Sequence, residues 1–99
     1  PYFPNITVGW DASPRTNQSE PWVGGGGADY PYMNIVVNNT PENFKKVLEM
    51  TKERLLADPN GPRALTINCW NEWTEGSCLE PDTLYGMAYL DALKEVFGR

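Results

Sequence analysis

The chain predicts an α/β domain of parallel strands joined by crossover helices, and three observations predict it. Short β-prone runs alternate with longer amphipathic segments in the order strand, helix, strand, helix. Clusters of proline, glycine and asparagine close off the segments. A chemically dense run, Leu65-Thr-Ile-Asn-Cys-Trp-Asn-Glu-Trp-Thr-Glu-Gly-Ser-Cys-Leu-Glu-Pro-Asp82, empties from an apolar stretch into a loop, which is where parallel α/β proteins place ligand sites.

The first strand is expected from Asn5 to Trp10, where Ile6 and Val8 alternate with other residues. It ends at Trp10-Asp11, and the polar stretch from Ala12 to Pro21, with Pro14 and Pro21, reads as a loop. Met33 to Val37 is a second short β-prone run. Thr40-Pro41 starts a helix, because the hydroxyl can cap free amides while proline in the first turn forfeits no hydrogen bond. Phe44, Val47, Leu48, Thr51 and Leu55 share one face of it, Lys45, Lys46, Glu49, Lys52 and Glu53 the other, and Asp58-Pro59-Asn60-Gly61-Pro62 stops it. Ala64 to Trp70 reads as the next strand. A closing helix is expected with Asp82 as cap, Leu84, Tyr85, Ala88, Tyr89, Ala92, Leu93 and Val96 as an apolar stripe, and Gly98 at its end.

With 99 residues the chain suffices for one small domain but falls well short of the roughly 250 residues of an eight-stranded α/β barrel. It opens on Pro1-Tyr2-Phe3-Pro4 without an initiator methionine, so it reads as the C-terminal part of a longer protein. The net charge is −5 and the few basic residues are scattered, which disfavours nucleic acid. No apolar run is long enough for a membrane span. The absence of histidine excludes His-based triads and His metal sites from this segment, and no metal or cofactor is expected. Cys69 and Cys78 are too far apart for a Cys-x-x-Cys motif and are expected free, Cys78 as a residue that could line the site.

Catalysis points to Glu72 and Glu75. Two acids three residues apart are most often solvated surface, but two tryptophans bracketing an Asn-Glu pair beyond an apolar strand are unusual there. Crowded carboxylates beside large rings can divide the work of acid and base, as glycosidic-bond chemistry requires. Asn71 and Trp73 are expected to bind substrate alongside them. Trp10 and Asp11, at the end of another strand, should share their face and bind substrate too if the two strands run parallel. Glu80 reads as a loop anchor.

The segment from Ile67 to Leu90, with its Asn-Glu-Trp-x-Glu-Gly core, together with Gly9-Trp10-Asp11 and Pro14-Arg15, resembles the WbsX-type proteins, a group related to glycoside hydrolase family 99. The resemblance spans nearly the whole chain. It implies that residues 1–99 supply the C-terminal fragment of a (β/α)8 TIM barrel, and that the partners are an oligosaccharide or polysaccharide substrate and the remainder of the barrel. Family 99 enzymes cleave within α-mannosyl-containing chains with retention, and their catalytic glutamates match Glu72 and Glu75. In the mechanism proposed for that family the first takes a proton from the substrate's own 2-hydroxyl and the second protonates the leaving oxygen. Where that family usually carries histidine this chain has Thr74, as the WbsX-type proteins tolerate.

The WbsX-type group has also been labelled as polysaccharide-biosynthesis glycosyltransferases, so transfer is the second expectation and a carbohydrate-binding or inactive fragment the third. The 99 residues in isolation are expected to be inactive. Gly24 to Gly27 lacks the lysine and helix of a phosphate-binding loop and reads as a flexible loop or lid. Trp22 is assigned no role. Three Asn-x-Ser/Thr patterns, at Asn5, Asn17 and Asn38, leave the compartment open between cytoplasm and, for a bacterial protein, periplasm or secretion.

Overall fold

A computed structural model describes residues 1–21 and 29–98. The elements are β1 (Asn5–Thr7), a 3-10 turn (Ser13–Arg15), α1 (Pro41–Ala57), β2 (Thr66–Asn68), β3 (Asn71–Glu72), a second 3-10 turn (Trp73–Glu75), β4 (Ser77–Cys78) and α2 (Ala88–Phe97). Strands β1 and β2 pair in parallel, with Ile6 opposite Ile67. Helix α1 is the crossover between them, so a β-α-β unit of the expected kind is present. Trp22 and the Gly24 to Gly27 run lie outside the described residues.

Helix α1 forms for the reasons its sequence gives. Thr40 accepts a hydrogen bond from the Asn43 amide and Pro41 occupies the first turn. Phe44 and Leu48 are buried, and Thr51 and Leu55 half-buried, along the i, i+4, i+7, i+11 stripe. Val47 lies at the edge of that stripe and stays exposed. The core joins Ile6 and Val8 of the β1 segment to Phe44, Leu48, Leu79, Tyr89, Ala92 and Val96. Both helices therefore cover one face of the parallel pair.

The other face is polar. Asn5 donates to the Asn68 side-chain oxygen at 2.9 Å and accepts from the Thr66 hydroxyl at 2.8 Å, while Asn68 donates to Thr7 at 3.1 Å. Alternation along the strands puts the apolar residues under the helices and these side chains opposite them. The Asn5 amide is thus engaged in a cross-strand network, although the residue is exposed rather than buried.

Three expectations about elements are corrected. Met33 to Val37 forms no strand; it is exposed, and Val36 donates one backbone bond to the Trp10 carbonyl at 2.7 Å. β-propensity without a laddered neighbour does not make a strand. The closing helix starts at Ala88, not after Asp82, because Gly86 holds a left-handed φ of 57° that a right-handed helix cannot contain. Asp82 instead caps a turn, accepting from the amides of Leu84 and Tyr85 at 2.8 and 2.6 Å, and Leu84 remains exposed. Both parallel strands are shorter than expected, although Val8 donates one more bond to Asn68 at 2.8 Å.

Lys52 of α1 donates to the Val96 carbonyl at 2.6 Å and lies 5.7 Å from the Phe97 ring centroid. A cation at the C-terminal end of α2 satisfies a free carbonyl and complements the helix dipole. Tyr89 packs edge-on against Phe44 and Tyr85 and donates its hydroxyl to the Asn39 carbonyl. Burial, reinforced by Tyr85, Asp82 and Glu42, pushes its pKa up from 10.0 to about 12. The fold holds the neutral phenol, so this contribution is complete below pH 10.0 and is lost as pH rises through about 12. Denaturant midpoints measured across that window should fall less steeply for Tyr89→Phe than for the parent; equal slopes would refute the assignment.

Candidate active site

The stretch after β2 is a hairpin rather than an open loop. Asn71 pairs with Cys78 and Glu72 with Ser77, antiparallel. The 3-10 turn of Trp73–Glu75 joins the two short strands, and Gly76, at φ 57°, makes the reversal. Leu79 then donates to the Cys69 carbonyl at 2.9 Å and its side chain enters the core, which pins the hairpin against the end of β2. Glu72 ends β3 and Glu75 ends the 3-10 turn that follows it, and both carboxylates face the same guanidinium.

Arg15 meets them there. Its terminal Nη2 donates to Glu72 Oε1 at 2.6 Å, and its Nε lies 3.8 Å from Glu75 Oε1. Nε also donates to the Thr74 hydroxyl at 2.8 Å. Tyr30 donates its phenol to the same Glu75 oxygen at 2.8 Å and lies 6.4 Å, centroid to centroid, from the Trp10 ring. The Glu72 side chain is 42% exposed and that of Glu75 only 17%, so the pair opens to solvent on the Glu72 side.

Charge balance explains the cluster. Two carboxylates brought together repel, and a guanidinium between them offsets that cost. Burial opposes the Arg15 cation, but the negative charge Tyr30 carries once ionised at high pH, the bond to Glu72 and the charge of Glu75 outweigh it and raise its pKa above the ordinary value. Burial first, and then the bond to Glu75, raise the pKa of Tyr30, so it serves as a neutral donor.

The two sheet ends share one face, as parallel pairing requires. The Asp11 amide donates to the Glu75 carbonyl at 2.7 Å. Its carboxylate is engaged locally, accepting from the Ser13 amide at 2.9 Å, which starts the turn that carries Arg15. Trp10 reaches the pair through Tyr30. Trp73 is 50% exposed and its indole donates to Glu80 at 2.8 Å, so Glu80 is the expected anchor. Asn71 is exposed on β3 beside Glu72, and Trp70 is exposed as well.

Cys69 and Cys78 are free thiols. Cys78 does not line the site: it is buried in β4, burial raises its pKa, and its thiol points to the Trp70 carbonyl at 3.5 Å. Arg15 and Tyr30 were absent from the residues expected at the site. Pro14-Arg15 belonged to the family resemblance, but no local pattern tied it to glutamates 57 and 60 positions onward.

Sequence comparison gives the family of the chain, one whose description is glycan-related. The model of the family described as Glycosyltransferase WbsX matches residues 1–93, and the chain belongs to that family. Relatives described as Uncharacterized protein WxcX occur in two strains of Xanthomonas campestris pv. campestris, B100 and ATCC 33913. Each is 35% identical over 98 residues, covering 98% of this chain and 12% of the relative. The chain thus spans about an eighth of the length of those relatives. No solved structure matches it. Among the described residues no helix is long and apolar enough to cross a membrane.

Proposed function

We propose that this chain is the C-terminal part of a (β/α)8 barrel related to glycoside hydrolase family 99, and that it supplies the acid and base of a retaining hydrolysis of α-mannosides or similar complex glycans. The observation that carries this reading is the convergence of Glu72 and Glu75 on the Arg15 guanidinium, beyond the exit of a parallel strand. The β-α-β unit with both helices on one face supports the barrel.

By analogy with family 99, Glu72 removes the proton of the substrate's 2-hydroxyl as O2 attacks the anomeric carbon. The bond to the leaving oxygen breaks and Glu75 protonates that oxygen. Glu75 then takes a proton from water, the water oxygen opens the 1,2-anhydro ring at the anomeric carbon, and Glu72 returns its proton to O2. Trp10 and Trp73 offer ring faces to sugars, Asn71 a hydrogen bond to a hydroxyl, and Asp11 shapes the turn beside Glu75.

Glycosyl transfer is the second reading, and the family's description favours it. Both are tested by incubating the intact protein in ¹⁸O-water with a panel of α-mannosyl oligosaccharides and bacterial surface polysaccharides, with and without nucleotide sugars. Mass spectrometry should find ¹⁸O at a newly formed reducing end without added donor. Products that appear only with a nucleotide sugar, and carry no ¹⁸O, would replace hydrolysis by transfer.

A further inference from the structure

We infer that Arg15 and Thr74 act as one positioning unit for the glutamate pair, the guanidinium aiming Glu72 toward Glu75 and the threonine hydroxyl fixing the guanidinium. This rests on the proposed roles of the two glutamates.

The geometry separates this unit from an ordinary surface ion pair. One edge of the guanidinium fork is used in full, Nε on the Thr74 hydroxyl at 2.8 Å and Nη2 on Glu72 at 2.6 Å. Thr74 lies on the turn between the glutamates, and its own hydroxyl stands 3.4 Å from the same Glu72 oxygen. The planar fork therefore has its rotation set by an uncharged group while its charge serves a carboxylate. Lys45 and Glu95, by contrast, make a single contact at 2.6 Å between two helices.

Arg15 also comes from the other parallel segment. Its backbone is held by the turn that Asp11 caps, and Asp11 is itself bonded to the Glu75 carbonyl. The clamp thus ties the ends of β1 and β2 together at the glutamates. With the Arg15 and Glu72 side chains both 42% exposed, the contact adds little to folding stability, so its consequence lies in orientation. Orientation is sensitive: misplacement of a reacting group by about 1 Å can cost about 100-fold in rate.

The test uses the intact protein and whichever panel α-mannoside the parent turns over fastest, with kcat, KM and the unfolding midpoint measured for each variant. Arg15→Ala should lower kcat about 100-fold and Thr74→Val about 10-fold, with KM within about two-fold and midpoints unmoved. Arg15→Lys should recover only part of the loss, since an ammonium cannot reproduce the fork. The Arg15→Ala/Thr74→Val double variant should be no slower than Arg15→Ala, the mark of residues acting together. Parental kcat in Arg15→Ala, full recovery by Arg15→Lys, losses that multiply in the double variant, or losses that follow the midpoint would each overturn the unit.

Its failure is distinguishable from that of the underlying reading. If Glu72→Gln and Glu75→Gln destroy turnover while Arg15→Ala does not, only the positioning unit falls. If those two substitutions leave turnover intact, or the parent acts on no panel member, both fall together.

Discussion

Glu75→Gln is expected to lower turnover of a glycan with a poor leaving group by about 10²- to 10⁴-fold, the range that loss of a general acid or base produces. Glu72→Gln should cost a comparable factor. The substitutions keep side-chain shape, and a glutamine oxygen can still accept from Tyr30 or Arg15 at the distances seen, so the fold should survive. The ion pair lost with Glu72 is partly exposed and adds little to stability. A fall in rate at a nearly constant unfolding midpoint would locate the effect in chemistry.

Leaving-group dependence then separates the two roles. A glycosyl fluoride needs little protonation to depart, so it should restore much of the first step in Glu75→Gln but not in Glu72→Gln, where the attacking hydroxyl still lacks its base. Equal recovery in both would contradict the assigned division. Parental rates in either variant on the poor leaving group would remove that residue from the mechanism.

The second large effect is expected from Gly9→Ala. A Cβ at Gly9 would stand 2.5 Å from the Gly76 carbonyl oxygen and 2.6 Å from the Asn39 side-chain nitrogen. Asn39 can swing away. The Gly76 carbonyl is backbone, at the reversal directly after Glu75, and can yield only if the turn moves. Overpacking of this kind costs about 1–3 kcal/mol, and here the displaced atoms carry the site. The variant should therefore lose both stability and turnover.

Gly86→Ala is the control. It has open space around its would-be Cβ but a φ of 57°, so strain of about 1 kcal/mol should lower stability while turnover is kept. Denaturant midpoints and kcat for the two variants decide the matter. An unchanged midpoint and kcat in Gly9→Ala would show that the two loops do not bear on each other.

Helix α1 was legible in the sequence because its determinants are local: the Thr40 cap, Pro41, the spacing of Phe44, Leu48 and Leu55, and the breakers after Ala57. Met33 to Val37 was misleading, since whether a β-prone run becomes a strand depends on a partner that local composition does not contain. Asp82 carried the right signal for a cap, yet Gly86 turned the chain before a helix could start. At the site, the identity and spacing of Glu72 and Glu75 could be read directly. The hairpin and its 3-10 turn could not, because Gly76 signals a reversal without specifying what precedes it.

The sequence by itself determined which acids stand three apart, which rings flank them, which residues start and stop α1, and that Ile6, Val8 and Ile67 seek one apolar layer. Only the tertiary structure decided that Arg15, Thr74 and Tyr30 converge on those acids. Arg15 and Glu72 are 57 positions apart and Tyr30 and Glu75 are 45 apart. Contacts at that separation follow from the parallel register of β1 against β2 and from the close approach of Gly9 to Gly76, and no periodicity within either segment encodes them.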